Sequence, residues 1–276
     1  MLSVSWYAIS VVVGVWIATE VAARLAARRG QPGEHVWRGL VWVALFGLVG
    51  ARLWFVLFPP ESFVDNGLTA GWMLNHIFEL NQGAIAFWTG GLGLIGGIIG
   101  GTIGLWLFTR KNHLPLLLWL DIAAVALPLA QAIVRLGEGA TQSLYGYVTS
   151  LSWGILITDP AQRVGQYTDL TRYPLDSTRF HPVFIYECLL ALAIFAALLF
   201  LFVRYSDRLR SGDIALLYVV TYGVGRFLLE FIRVNVSLVS GVNISQVVAA
   251  IAALIAAALL FRRHRQDLHS LKGNHA

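Results

Sequence analysis

Runs of about 20 apolar residues recur along this chain, and that is the length a helix needs to cross the ~30 Å hydrocarbon core of a bilayer. They fall at roughly 6–26, 39–58, 87–108, 115–135, 182–203, 213–232 and 242–261. The pattern predicts an all-α, polytopic integral membrane protein of about seven transmembrane helices, forming one domain over residues 1–276. The fourth run is the least uniform, carrying Asp121, Pro128 and Gln131. Composition agrees: 57% of residues are hydrophobic and 13% charged, against ~25% charged in a soluble domain. Residues 1–7 lack a basic segment and no small-residue cleavage site follows, so the first run reads as a retained helix.

Most of the chain's 20 lysines and arginines sit in the connections after runs 1, 3 and 5 and in the tail at 262–276. Arg24, Arg28, Arg29 and Arg38, then Arg110 and Lys111, then Arg204, Arg208 and Arg210, then Arg262, Arg263, Arg265 and Lys272 all fall on one side. The opposite connections hold Glu61, Asp65, Glu79, Asp159, Asp169 and Asp176. The positive-inside rule places the N-terminus outside and the tail in the cytoplasm. Topology therefore accounts for the net charge of +5, and nucleic acid is not needed as a partner. The long connection at roughly 136–181, rich in Gly, Ser, Thr and Tyr, is expected to form a small extracytoplasmic loop region. A single cysteine, Cys188, excludes an internal disulfide and a cysteine-rich metal site, and reads as a packing residue.

Ionisable residues within membrane runs are costly and point to function. Arg52 lies near the outer end of run 2, Arg135 closes run 4, and run 6 carries Tyr222, Arg226, Glu230 and Arg233 at the spacing of one helix face. All lie toward the outer leaflet, where arginines suit the phosphate of a phospholipid headgroup. The alternative is Arg–Glu pairing that only ties helices together, with Arg233 snorkelling to the interface. Run 3 is glycine-rich, and Gly96, Gly100 and Gly104 form a small-xxx-small packing stripe. Entering run 5, Pro182 suits the first helical position, His181 is a candidate to move protons, and Glu187 needs a partner.

These residues together resemble the prolipoprotein diacylglyceryl transferases, in one order along nearly the whole chain. Ser5-Trp6-Tyr7 resembles the family's opening Trp-Tyr, and residues 50–58 resemble its second-helix arginine segment. Residues 88–97 match Trp-x-Gly-Gly-x-x-x-x-Gly-Gly, and Asp121, Gln131 and Arg135 keep the family's spacing. His181-Pro182 with Tyr186-Glu187, then Tyr222-Gly223 with Arg226, Glu230 and Arg233, and then Gln246 complete the series. The resemblance implies transfer of the diacylglyceryl group of phosphatidylglycerol to the lipobox cysteine thiol in a prolipoprotein signal peptide, at the bacterial inner membrane, with no cofactor or metal. It implies that Arg135 and Arg226 bind phosphate, that Glu230 orients Arg226, and that Tyr222 lines the lipid site. Arg52, Tyr7, Gly90, Gly91, Gly96, Gly97, Gly137, Gly146, His181, Tyr186, Glu187, Arg233 and Gln246 are the further expected substrate-binding positions.

Four positions depart from the family's pattern. Its His or Tyr before the second Gly-Gly pair is Ile95, its two signature asparagines are Glu138 and Thr141, and its signature glutamate is Ser143. Glu138 then stands beside Arg135 either as a base or as a compensating carboxylate. These losses motivate a second reading, a protein of the same fold that binds phospholipid or precursor without this chemistry. A third, an anion transporter, is disfavoured because runs 2, 4 and 6 carry arginines only toward the outer side.

Overall fold

The computed structural model describes residues 6–205 and 208–273, with the side chains of Thr89 and of residues 266–273 left aside. Ser5, Lys272's side chain and the last residues of the expected tail lie outside that description. The chain is 66% helical. Its long helices are α1 (Trp6–Arg28), α2 (Glu34–Leu57), α5 (Leu94–Lys111), α6 (Leu116–Ala140), α7 (Val183–Arg204), α8 (Asp213–Leu229) and α9 (Ile244–Gly273), with two short helices, α3 (Glu61–Val64) and α4 (Ala70–Asn75), between α2 and α5. Five of them, α1, α2, α6, α7 and α9, are long and apolar enough to cross a membrane, while α5 and α8 have 18 and 17 residues. The protein is a multi-pass helical membrane protein.

Helix α6 is the hub. Its apolar stretch is 56% buried within the bundle, against 17% for that of α9. It packs on α1, α7 and α8, and Ala18, Ala22, Ile122, Val125, Ile194, Leu198, Ile214 and Tyr218 form the main core between them. Pro128 is accommodated inside α6, buried. Asp121 accepts hydrogen bonds from the backbone of Gly212 (2.6 Å) and Ala215 (2.8 Å), supplying partners to the free N–H groups at the start of α8. Its charge is used to cap a helix.

Helices α2 and α5 pack most closely, along the glycine stripe. A Cβ at Gly96, Gly100 or Gly104 would stand 2.2, 2.1 or 2.5 Å from the backbone oxygens of Gly50, Phe46 and Trp42. Backbone cannot give way as a side-chain tip can. Gly100→Leu is therefore expected to force α2 and α5 apart and to cost at least the ~1–3 kcal/mol of an overpacked core. Gly71, with open space around its Cβ position, should tolerate Ala. Thermal inactivation of the two purified variants compares them, and equal stability would rule out this packing.

Several expected boundaries are corrected. Residues 87–93 are not α-helical: a single 3-10 turn, Phe87–Thr89, is followed by Gly90 and Gly91 at φ +96° and +73°, a left-handed backbone that glycine tolerates and that breaks the helix. Helix α6 runs to Ala140, so Gly137 and Glu138 belong to it and not to the loop; Thr141 ends it, its hydroxyl reaching the carbonyls of Gly137 and Glu138. Helix α8 stops at Leu229, so the expected shared helix face does not extend to Arg233. The chain there is drawn into antiparallel pairing with the loop, Tyr147 N–H donating to Ile232 O at 3.0 Å and Gly146 bridging Arg233. Pro182 caps α7 rather than opening it, α2 starts at Glu34, and the expected tail continues α9 to Gly273.

The 141–182 connection has a core of its own, Tyr145, Ile157, Tyr167 and Phe180, and a two-stranded pair, β1 (Ile155–Leu156) and β2 (Arg179–Phe180), that contributes Phe180 to it. Burial pushes the Tyr145 phenol above its ordinary range, and its hydroxyl donates to Gln162 O at 2.8 Å. A second hairpin, β3 (Leu238–Val239) and β4 (Val242–Asn243), joins α8 to α9.

Candidate functional site

Three arginines and three glutamates meet at one end of the bundle, next to the 141–182 connection. Arg135 and Glu138 come from the last turns of α6, Glu187 from one turn into α7, Arg226 from α8, and Glu230 and Arg233 from the turn that follows it. Glu187 sits at the centre: its Oε2 lies 2.6 Å from Arg135 Nε, and its Oε1 lies 2.8 Å from Arg226 and 3.7 Å from Arg233. Arg135 also pairs with Glu138, and Arg226 with Glu230. Glu230 lies 3.7 Å from Arg233 and accepts a hydrogen bond from Asn243 Nδ2 at 2.9 Å. Formal charges balance, three against three. Buried charges tolerate the bundle interior only when paired in this way.

The cluster opens on a cavity of about 360 Å³, within the ~300–1,000 Å³ of small-molecule sites. Its apolar lining comes from Trp54 and Phe55 of α2 with Phe58 just after it, Leu92 just before α5 and Ile95 within it, and Leu127, Ala130 and Val134 of α6. Its polar lining comes from Arg135, Glu138, Tyr222, Arg226, Glu230 and Arg233, with Tyr7 of α1 and Ser245 of α9. Glu187 does not line it, so it anchors the arginines from behind. The buried Tyr222 hydroxyl and Arg233 Nε have no hydrogen-bond partner among the described residues. Buried donors are rarely left unpaired, and these two border the cavity. Glu61 N–H donates to Val236 O and Ser62 N–H to Asn235 Oδ1, each at 3.2 Å, tying α3 to the segment after α8 that lines the cavity.

The other expected residues divide. Gly97 lines the cavity, whereas Gly96 serves the α2–α5 contact and Gly137 the approach of α1, its Cβ position 2.0 Å from Ser10 Oγ. Gly146 sits under Ile232 O, in the pairing that carries Arg233. Arg52 is buried away from the cluster. It donates to the carbonyls of Gly83 (2.6 Å), Ala84 (2.8 Å), Gly90 (2.7 Å) and Gly91 (3.1 Å) and lies over the Phe55 ring, fixing the nonhelical segment ahead of α5. His181 and Tyr186 form a separate group in which His181 Nδ1 lies 3.3 Å from the Tyr186 hydroxyl, which accepts from Trp153 Nε1 at 2.8 Å. Gln246 donates to Phe227 O at 3.2 Å, joining α9 to α8.

Two of the four departures from the family's pattern lie off the cavity. Thr141 and Ser143 bond to each other at 2.9 Å and to the last carbonyls of α6, so they finish that helix. Ile95 and Glu138 do face the cavity. Asn243, Asn235 and Ser245 also belong to the site and carry no signal in the sequence, being ordinary polar residues in the segment that joins α8 to α9 and in the start of α9.

Fold and site together define a multi-pass helical membrane protein with a charge-balanced arginine–glutamate centre beside an apolar-walled cavity. Residues 1–262 match the sequence model of the family described as prolipoprotein diacylglyceryl transferase. The chain is 35% identical to the phosphatidylglycerol–prolipoprotein diacylglyceryl transferase of Chloroflexus aggregans, over 95% of this chain and 86% of that protein. It is 33% identical to the protein of that name from Gloeobacter violaceus (96% and 90%) and 32% identical to that from Corynebacterium diphtheriae (96% and 90%). This chain belongs to the prolipoprotein diacylglyceryl transferase family, as the order of its motifs implies.

Proposed function

We propose that this protein transfers the diacylglyceryl group of phosphatidylglycerol to the lipobox cysteine thiol of a prolipoprotein, releasing glycerol phosphate. The observation that carries the reading is the cavity itself, which joins an apolar wall to Arg135, Arg226 and Arg233 and to the unpartnered Tyr222 hydroxyl. That combination suits a lipid with an anionic headgroup. The cysteine must lose its proton, since the thiolate is the nucleophile. Its sulfur attacks the glyceryl carbon bonded to the phosphate oxygen, the C–O bond breaks, and the electron pair leaves with glycerol phosphate. Arginines around that phosphate stabilise the charge as it develops. Glu138, which faces the cavity, accepts the thiol proton. Glu230 orients Arg226, Tyr7 borders the lipid, and Arg52 with Gly90, Gly91, Gly96 and Gly97 shapes the wall. The loop group of His181 and Tyr186, with Gly137, Gly146 and Gln246 supporting, receives the peptide.

In this reading the chain is one domain with seven spans in a bacterial inner membrane, its N-terminus and the 141–182 connection outside and its C-terminus in the cytoplasm. The excess of arginine at the other ends of the helices supports that orientation. One observation favours a second reading, lipid binding without turnover: Glu138 already occupies Arg135, so phosphate must displace a carboxylate.

The test is a transfer assay with purified protein, phosphatidylglycerol and a lipobox peptide, following the mass of the peptide. The expected result is addition of one diacylglyceryl group on the cysteine and none on a Cys→Ser peptide. Retained phosphatidylglycerol binding with no mass gain, beside an active relative, would move the assignment to the second reading.

A further inference from the structure

We propose that Asn243 is a positioning residue of this site, holding Glu230 so that Arg226 and Arg233 are presented to the cavity. The inference rests on the reading of that cavity as a phosphatidylglycerol site. Asn243 is the last residue of β4 and immediately precedes α9. Its Oδ1 accepts from the backbone N–H of Gln246 at 3.1 Å, three residues on, as an N-cap does. A backbone N–H can only donate, so this bond fixes which end of the amide is oxygen. The other end, Nδ2, therefore faces Glu230 Oε2 as a donor at 2.9 Å. The Gln246 side chain reaches Phe227 O, so the first turn of α9 is clamped to the last turn of α8.

Glu230 is then held from two directions. Asn243 takes one carboxylate oxygen, and Arg226 and Arg233 approach the other. Of the cluster's carboxylates it is the least exposed, at 2% of its side chain against 18% for Glu138. A neutral donor at this point holds Glu230 without adding charge. The groups facing Glu230 are Arg226 of α8, Arg233 of the following turn and Asn243 of β4, with Glu187 of α7 and Arg135 of α6 beyond the shared arginines.

Asn243→Asp separates capping from positioning. Asp caps a helix as well as Asn does, so a residue that only caps would leave this variant like the wild type. A positioning residue would instead set a second carboxylate against Glu230. Phosphatidylglycerol affinity, read from lipid-dependent thermal stabilisation, should then fall about tenfold near neutral pH, the loss of one charge-assisted hydrogen bond. In turnover the loss should appear in KM more than in kcat. Both should recover as the pH is lowered, because two touching carboxylates can share a proton. Asn243→Ser keeps a capping oxygen on a shorter side chain and removes the amide Nδ2 that reaches Glu230, without adding charge, so it should weaken binding with no such pH dependence. Wild-type affinity in either variant would overturn the proposal, as would loss of both proteins from the membrane, which would mark a folding role. If the wild type binds phosphatidylglycerol but transfers nothing, the transfer reading fails while the binding measurements still decide the role of Asn243.

Discussion

Glu187→Gln abolishes transfer and leaves a protein that phosphatidylglycerol stabilises more than it stabilises the wild type. Among the described residues, Glu187 is the one carboxylate within reach of Arg135, Arg226 and Arg233 together. Removing its charge leaves three arginines against Glu138 and Glu230, a buried excess of one positive charge. Breaking a buried pair in this way costs ~3–5 kcal/mol. An anionic lipid headgroup in the adjoining cavity offsets part of that excess, hence the larger stabilisation. Activity is lost because the arginines no longer have the anchor that aims them from behind. Thermal inactivation with phosphatidylglycerol and with zwitterionic phosphatidylcholine, alongside the peptide assay, measures both effects. A variant as stable and as active as the wild type would show that the cluster does not act as a unit.

The second large effect is expected at Arg135. Arg135→Gln removes a cation that lines the cavity and leaves Glu138 there as an uncompensated carboxylate. Transfer should fall by ~10²–10³-fold, the scale set by losing one donor to a developing oxyanion. Part of the damage is structural, because Arg135 also holds Glu187. The double variant Arg135→Gln, Glu138→Gln isolates the two contributions. It restores stability by removing the orphaned charge, yet transfer does not recover, because the cavity then lacks both the phosphate-binding cation and the acceptor of the thiol proton. Recovery of transfer along with stability would mean that Arg135 is only a counterion for Glu138 and that the phosphate is held elsewhere.

Much of this was legible in the chain. The apolar runs marked every long helix in order, because length and hydrophobicity are local properties that a bilayer reads directly. The family was legible from motifs in sequence order. Arg135, Arg226, Glu230 and Arg233 were legible as costly residues that must meet partners. The helix ends were not: where α6 and α8 stop depends on the Thr141 hydroxyl and on pairing of the 232–234 segment with the loop.

By itself the sequence determined the class of fold, the family and the residue types at one end of the bundle. Only the tertiary structure decided which charges meet. It set Glu187 behind three arginines, turned Arg52 onto the carbonyls of Gly83, Ala84, Gly90 and Gly91, and brought Asn243 back onto Glu230. The physical reason is range. A helix is specified within a few turns of itself, whereas an ion pair forms only where helices distant in the chain converge to within a few ångströms, and that convergence is set by the packing of the whole bundle around α6.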